Sequence, residues 1–170
     1  MGRGSSRTCS GGSRTASSAR VQLWRLARWP HRALDGEGGR LFDGRWHTRG
    51  RPVVYAASHL SLAALELLAH LDPDTVPGDL HALEIGLPDA LPVETVTPEA
   101  LPPGWHEAGS TLCRPVGDNW LAAARTVALR VPSAIVPEEW NYILNPAHPD
   151  AGRLVVTRQR RFAFDTRVLG

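Results

Sequence analysis

The chain has 170 residues, of which 42% are hydrophobic, and a formal net charge of only +2. This length and composition predict one globular domain with a sizeable core, and the small charge excludes a strong whole-molecule field. No run is apolar enough to span a membrane, and Cys9 and Cys113 form neither a disulfide framework nor a zinc-site spacing. We therefore expect a cytoplasmic protein without a metal site.

Residues 1–20 are mainly glycine, serine and arginine, which predicts a disordered basic tail followed by a single domain at residues 21–170. The first strand is predicted at residues 21–27. Arg25 lies in the middle of this strand, either at an exposed edge or directed into a site. All 19 basic residues of the chain are arginine, a side chain whose planar fork suits phosphate oxygens.

The stretch from Gly44 to His70 organises the rest of the chain. Three polar side chains follow one another in it at intervals of ten and eleven residues: Arg45, Tyr55 and Glu66. Glycine and proline predict a loop that leads into a short strand at residues 52–57. Ser58 is expected to cap a helix that ends near Asp72.

This predicted helix has an apolar stripe at helical spacing, formed by Leu60, Ala64, Leu67 and Leu71. Other leucines and alanines fill most of the remaining circumference, so we expect the helix to be largely buried. Glu66 is the only carboxylate between Ser58 and Leu71 and lies away from the stripe. Because a buried carboxylate is costly unless it is paired, Glu66 is expected to face a polar cleft or an arginine. A structural ion pair or a solvated edge is the alternative.

The remaining predicted elements are mostly short strands. They comprise strands at residues 79–85, 93–96, 126–131, 134–136, 153–157 and 161–165, a helix at 118–125 capped by Asp118 or Asn119, and helical turns after residue 97 and at 138–144. Strands outnumber helices and do not alternate strictly with them, which predicts an α+β fold and not a doubly wound sheet.

Two segments carry recognisable motifs: GRWHTRGRPVVYAAS at residues 44–58 and VPSAIVPEEWNYILNPAHPD at residues 131–150. Both resemble segments of the RES domain family, and the resemblance extends from about residue 23 to residue 167. It implies an ADP-ribosyltransferase-like split β-sandwich, in which two small sheets with peripheral helices enclose a nucleotide cleft.

The resemblance further implies that the substrate is NAD and that the bond broken joins nicotinamide to ribose, through an oxocarbenium-like state. Glu66 would then stabilise the developing positive charge, while Arg45, together with Arg25, would bind the diphosphate. Tyr55 would offer a stacking face to the nicotinamide ring. Ser133 would orient the ribose or an arginine by a hydrogen bond.

Three further positions bear on the resemblance without entering the predicted site. Asn145 and His148 match the family pattern, but an Asn-Pro pair more often shapes a turn, so neither is assigned a ligand. His47 stands where family members more often carry asparagine, which leaves its role open.

The acceptor of the ADP-ribosyl group is the main alternative left open. Inorganic phosphate, which we favour, gives NAD phosphorolysis, water gives hydrolysis, and a protein side chain gives protein ADP-ribosylation. The resemblance also implies a bacterial toxin of a type II toxin–antitoxin system, with an Xre-type antitoxin as partner, a homodimer and a larger complex with the antitoxin. A basic nucleic-acid-binding module is the remote alternative, but no helix-turn-helix or zinc spacing supports it, and we expect no direct binding to nucleic acid or membrane.

Overall fold

The computed structural model describes Met1, residues 20–71 and residues 75–169. Most of the predicted tail at residues 1–20 lies outside these ranges, although Arg20 is described and begins the first strand. The domain limits at residues 21–170 therefore stay a prediction. The prediction that the second helix ends near Asp72, a residue outside these ranges, is wrong, because this helix ends at Leu68 with Ala69 as its C-cap.

Strands make up most of the regular structure. They are β1 (Arg20–Arg28), β2 (Val54–Ala57), β3 (Leu80–Pro88), β4 (Val93–Thr95), β5 (Ala128–Pro132), β6 (Trp140–Leu144) and β7 (Val155–Arg161). The α-helices are α1 (Glu37–Leu41), α2 (Leu60–Leu68) and α3 (Arg114–Ala123). Short 3-10 helices lie in the connections, at Trp29–His31, Pro98–Ala100, Pro149–Arg153 and Thr166–Val168.

The strands are hydrogen-bonded in the order β4-β5-β6-β2-β1-β3-β7. β4 and β5 are parallel, and the other neighbours are antiparallel. β1 and β2 pair at Trp24 and Ala57, so two halves of the sheet meet at one residue pair. The α+β class is therefore confirmed, and the two small sheets expected from the sequence are the halves of one continuous seven-stranded sheet.

The core covers both faces of the central strand β2. Val54 and Ala56 pack into an apolar cluster on one face, with Leu23 among its members. Val53 and Tyr55 pack into a second cluster on the other face, as the alternation of side chains in a strand requires. Because both faces are covered, β2 carries mainly apolar side chains, and Tyr55 packs against the second cluster.

The orientation of α2 differs from the sequence prediction. Its buried side chains are Leu62 and Ala63, which contact the sheet near Trp24. The predicted stripe was a different one: Leu60, Ala64, Leu67 and Leu71. Leucine and alanine occur on almost every side of this helix, so spacing alone does not select the buried side. The expectation of a largely buried helix is also wrong, since Leu65 is 43% exposed.

Both predicted helix caps are wrong. The N-cap of α2 is His59 and not Ser58, and it has no side-chain cap hydrogen bond. α3 begins at Arg114, four residues before the predicted start, because Pro115 fits the first turn of a helix. Asp118 lies inside α3, where its carboxylate binds a neighbouring loop.

Three predictions for the last part of the chain are also wrong. Residues 138–144, predicted as a helical turn, contain strand β6, and residues 134–136, predicted as a strand, form bends. β6 lies between β2 and β5, so pairing on both sides overrides its local pattern. The two closing strands at 153–157 and 161–165 are replaced by the single edge strand β7, whose seven residues are all exposed. Within the described ranges, no helix is long and apolar enough to cross a membrane.

Replacing Gly117 by alanine is expected to destabilise the protein. A Cβ atom there would overlap the backbone carbonyl of Trp46, so α3 and the loop before β2 would have to separate. Alanine usually favours a helix over glycine by about 1 kcal/mol, whereas we expect Gly117→Ala to lower the free energy of unfolding by about 2 kcal/mol or more.

The matched control is Gly38→Ala in α1, where no atom lies within 4 Å of the added Cβ. This variant is expected to be neutral or stabilising in urea denaturation. Equal free energies of unfolding for the two variants would contradict the close contact at Gly117.

Candidate active site

Two adjoining cavities lie where α2, β2, β6 and the loop before β2 meet. The larger lobe has a volume of about 420 Å³ and the smaller lobe about 190 Å³. Four residues line both lobes: Tyr55, Glu66, His70 and Asn141. Volumes of this order are typical of small-molecule sites, and the shared wall makes the two lobes parts of one cleft.

Glu66 is held at this shared wall through one of its two carboxylate oxygens. Oε1 accepts hydrogen bonds from Ser133 Oγ at 2.8 Å and from Asn141 Nδ2 at 2.5 Å. Among the described residues, Oε2 has no hydrogen-bond partner. The carboxylate is therefore fixed in orientation while its second oxygen remains available to a ligand. The sequence expectation of a polar cleft around Glu66 agrees with this position.

Ser133 is fully buried and its hydroxyl is completely engaged. Oγ donates to Glu66 and accepts from the backbone N–H groups of Ile135 and Val136, each at 3.1 Å. The side chain lines neither lobe, so Ser133 positions the Glu66 carboxylate and does not face the cleft. The predicted hydrogen bond from Ser133 to a ribose or an arginine stays a prediction.

Asn141 is a site residue that the sequence reasoning missed. It lies in β6, where its Cα is paired with Ala57 on one side and with Val131 on the other. The available signal was a polar amide at the start of an apolar run, inside the segment that resembles the family motif. The prediction of a helical turn for residues 138–144 does not take the alternation of a strand into account, and it therefore misses Asn141.

The Tyr55 hydroxyl forms hydrogen bonds that stabilise the loop before β2. The backbone N–H of Trp46 donates to it at 3.2 Å, and His47 Nδ1 lies 2.8 Å from it. His47 Nε2 lies 3.1 Å from the carbonyl oxygen of Phe42, which can only accept, so Nε2 carries the hydrogen in the neutral ring. The Tyr55 hydroxyl therefore donates to His47 Nδ1, and its hydrogen-bonding capacity is used within the protein.

Burial acts on both members of this pair. It raises the pKa of Tyr55 far above the ordinary value for a tyrosine. It also lowers the pKa of His47, an effect that the carbonyl groups of Phe42 and Gly39 partly oppose. A neutral tyrosine and a neutral histidine fit the hydrogen bond between them, so Tyr55 presents a ring to the cleft and not a reactive hydroxyl.

Two arginines line the larger lobe. Arg45 Nη1 donates to the carbonyl oxygens of Trp105 at 2.6 Å and Glu107 at 3.1 Å, which fixes the guanidinium against the opposite loop. Arg114, at the start of α3, donates from Nε to the carbonyl oxygen of Gly44 at 3.0 Å. Arg114 was not predicted as a site residue, because its position became clear only with the true start of α3.

Arg25 lines the smaller lobe. Its Nη1 donates to the carbonyl oxygen of Tyr55 at 3.2 Å, whereas its Nε is buried and has no hydrogen-bond partner in the described part of the chain. Burial lowers the pKa of the guanidinium, although the charge of Asp35 opposes this. The sequence hypothesis had Arg25 and Arg45 on one diphosphate, but the structure places them on different lobes.

The loop that carries Arg45 and His47 is tied to α3 by one carboxylate. Asp118 Oδ1 accepts from the backbone N–H of Thr48 at 3.0 Å, and Oδ2 accepts from the Thr48 hydroxyl at 2.6 Å. Oδ1 also lies 2.9 Å from Arg51 Nε. This attachment explains how a loop rich in glycine and arginine keeps a defined position at the mouth of the larger lobe.

The remaining polar residues considered from the sequence have structural contacts. Asn145 is buried, where its Oδ1 accepts from Ala147 N at 3.0 Å, and His148 Nδ1 accepts from Asp150 N at 3.0 Å. Both therefore stabilise turns. In the part of the chain that the structure describes, no group of three or more His, Cys, Asp or Glu side chains is placed to hold a metal ion.

The sequence profile of the RES domain matches residues 22–165, which is most of the chain. This protein belongs to the RES domain family. The profile covers both segments that resembled the family motifs, together with every residue placed in the two lobes above.

Curated relatives of this RES domain protein agree with the assignment. The "Prs ADP-ribosylating toxin" of Sphingobium sp. (strain YBL2) is 38% identical over 156 residues, which cover 88% of this chain and 97% of the relative. A "Toxin Res" of Pseudomonas putida is 44% identical over 131 residues, covering 76% of this chain and 87% of the relative. Both matches extend across most of the relative's own length.

A solved structure agrees with the fold. The crystal structure of the M. tuberculosis MbcT–MbcA toxin–antitoxin complex contains a chain that superposes with a TM-score of 0.70 at 19% sequence identity. The match covers 89% of this chain and 88% of that chain. At this identity the similarity shows a shared fold.

Replacing Tyr55 by phenylalanine is expected to lower the free energy of unfolding by about 1–3 kcal/mol, because Trp46 N–H and His47 Nδ1 lose their partner in a buried loop. The matched control is Tyr142→Phe, at a buried tyrosine whose hydroxyl has no hydrogen bond within the described ranges. Urea denaturation of both variants tests this. A larger loss in Tyr142→Phe would contradict the role of the Tyr55 hydroxyl.

The neutral state of His47 predicts a pH dependence of stability. Its folded pKa is lowered by burial, so below the unfolded value of about 6.5 the unfolded state binds more protons and stability falls as the pH is lowered. The stability that neutral His47 contributes is fully present above the unfolded pKa. It is lost progressively as the pH falls from that value to the folded pKa. His47→Asn keeps an acceptor near Tyr55 but cannot be protonated.

We expect the difference in stability between wild type and His47→Asn to shrink as the pH falls from 7 to 5, by at most about 1.4 kcal/mol per pH unit. Urea denaturation at several pH values measures it. A difference that grows toward low pH would contradict the neutral assignment.

Proposed function

We propose that this protein is a bacterial toxin that consumes NAD by breaking the bond between nicotinamide and ribose. The observation that carries the proposal is the attachment of Glu66, whose carboxylate is fixed through Oε1 at the wall shared by both lobes. Its Oε2 has no partner among the residues that the structure describes and can contact a ligand. Cleavage of this bond builds positive charge on the ribose, as glycoside cleavage does. A carboxylate held in place beforehand lowers the energy of that charge.

The larger lobe suits the diphosphate half of NAD. Arg45 and Arg114 both line it, and guanidinium groups bind phosphate oxygens through paired hydrogen bonds. The contacts of Arg45 Nη1 with Trp105 and Glu107 carbonyls fix the guanidinium before a ligand arrives, which reduces the entropy cost of binding. The ring of Tyr55 offers a stacking surface to the nicotinamide.

Inorganic phosphate is the acceptor that we favour, which makes the enzyme an NAD phosphorylase. A second candidate function is ADP-ribosylation of a protein, and the relative from Sphingobium named "Prs ADP-ribosylating toxin" supports it. The two functions differ in their products. Both release nicotinamide, but phosphorolysis gives a phosphorylated ADP-ribose, whereas protein modification leaves the ADP-ribosyl group attached to a target protein.

We also propose that an antitoxin binds this protein and blocks the cleft. The supporting observation is that the structural neighbour was solved as a toxin–antitoxin complex. An Xre-type antitoxin, a homodimer and a larger assembly with the antitoxin stay predictions from the family resemblance.

The charge of Glu66 is expected to be necessary for NAD cleavage. Glu66→Gln can keep both hydrogen bonds, because its amide oxygen can accept from Ser133 and Asn141 as Oε1 does. The variant should therefore fold normally and lose about 10²- to 10³-fold in kcat, which is typical when a transition-state stabiliser is removed. Nicotinamide release from NAD by purified protein, with phosphate present, is the measurement.

The control for this variant is Glu138→Gln, an exposed carboxylate outside both lobes, which should retain wild-type activity. Full activity of Glu66→Gln would remove the central assignment. Protein ADP-ribosylation also releases nicotinamide, so labelling of a cellular protein from labelled NAD without formation of a phosphorylated ADP-ribose would favour that function.

A further inference from the structure

We propose that the smaller lobe is a binding site for free inorganic phosphate, held by Arg25 and separate from the dinucleotide's own phosphates. The assignment of this phosphate as the reacting acceptor rests on the proposed function. The existence of the anion site does not depend on it, because the site follows from the contacts of Arg25 alone.

Arg25 is a buried cation with an incomplete set of partners. Its Nη1 donates to one backbone carbonyl, its Nε is buried without a partner, and no carboxylate of the described residues forms an ion pair with it. Burying a charge without an ion of opposite sign is costly. The lowered pKa of the guanidinium has the same cause, and Asp35 offsets it only in part. An anion in the adjoining lobe, which Arg25 lines, would supply the missing opposite charge.

The size and walls of the smaller lobe select the kind of anion. A volume of about 190 Å³ accepts a tetrahedral ion of five heavy atoms but not a dinucleotide. Besides Arg25, the lobe is lined by Tyr55, Glu66, His70 and Asn141 and by apolar side chains that include Leu26, Ala63 and Leu67. The apolar part of these walls reduces the screening of the attraction between the guanidinium and an anion.

The nicotinamide ring is a less suitable occupant of this lobe. In NAD the ring carries a positive charge, and beside Arg25 it would place two cations close together. The larger lobe contains the two arginines suited to the diphosphate, and Tyr55 offers its ring at the boundary. The substrate therefore fits the larger lobe, and the acceptor reaches the ribose from the other side of Glu66.

The chemical step balances with this placement. An oxygen of the hydrogen phosphate dianion forms a bond to the ribose carbon, and the bond from that carbon to nicotinamide breaks. The electron pair of the broken bond remains on the ring nitrogen and neutralises its charge. No proton has to be removed from the attacking group, whereas attack by water requires a base. A dianion held by Arg25 therefore meets the chemical requirement with the residues already present.

The first test measures binding of inorganic phosphate to the protein without NAD, by isothermal titration calorimetry. Arg25→Met keeps the apolar stem and removes the charge, and we expect it to weaken phosphate binding about 10- to 100-fold. The matched control is Arg158→Met, at an exposed arginine of β7, which should bind phosphate as the wild type does. Equal phosphate affinity of the wild type and Arg25→Met would overturn the proposal.

The second test separates the two sources of phosphate groups. In initial-rate kinetics, Arg25→Met should raise the KM for phosphate about 10-fold or more and change the KM for NAD by less than about twofold. An increase confined to the KM for NAD would instead place Arg25 on the dinucleotide and overturn the proposal. Ala63→Leu fills the same lobe without touching the charge, so it should weaken phosphate binding even if Arg25→Met folds poorly.

Product analysis distinguishes failure of this inference from failure of the proposed function. Wild-type protein that releases nicotinamide at a rate independent of phosphate would support NAD cleavage and overturn phosphate as the acceptor. Wild-type protein that binds phosphate through Arg25 but leaves NAD intact would support the anion site and overturn the proposed function.

Discussion

The position of Glu66 depends on two hydrogen bonds that converge on a single carboxylate oxygen. Ser133 and Asn141 donate them from opposite ends of the turn that joins β5 to β6. The same contacts explain why α2 presents the glutamate side toward the sheet although leucines are available on its other sides. A buried serine that also accepts two backbone N–H groups cannot change its rotamer freely. The carboxylate is therefore held in position by residues that are themselves fixed by the sheet.

A second fixed group lies across the cleft. The Tyr55 hydroxyl, His47 and the backbone of Trp46 hold the loop that carries Arg45, and Asp118 holds the same loop from α3. The side chains that line the lobes therefore belong to segments fixed by contacts outside the lobes. This arrangement suits a site that must stabilise charge, because groups fixed beforehand do not need to reorganise during the reaction.

The sequence predicts some of the residues that line the cleft but not all of the elements that carry them. Tyr55 and Glu66 stood out because each is a polar residue within an apolar strand or helix, and both line the two lobes. Asn141 and Arg114 were missed because each depends on an element boundary that local pattern misplaced. β6 owes its strand conformation to pairing on both sides, and α3 starts at a proline-containing turn. Such information resides in tertiary contacts and not in periodicity.

The junction between β1 and β2 has a consequence for the shape of the molecule. The strands pair at Trp24 and Ala57, and the carbonyl of Tyr55 is linked to β1 by the side chain of Arg25. Beside the single backbone pair, this side-chain hydrogen bond links the two strands where a regular ladder would have a backbone bond. The smaller lobe, which residues of both strands line, therefore lies where backbone pairing between β1 and β2 stops. Continuous pairing of the two strands would close it.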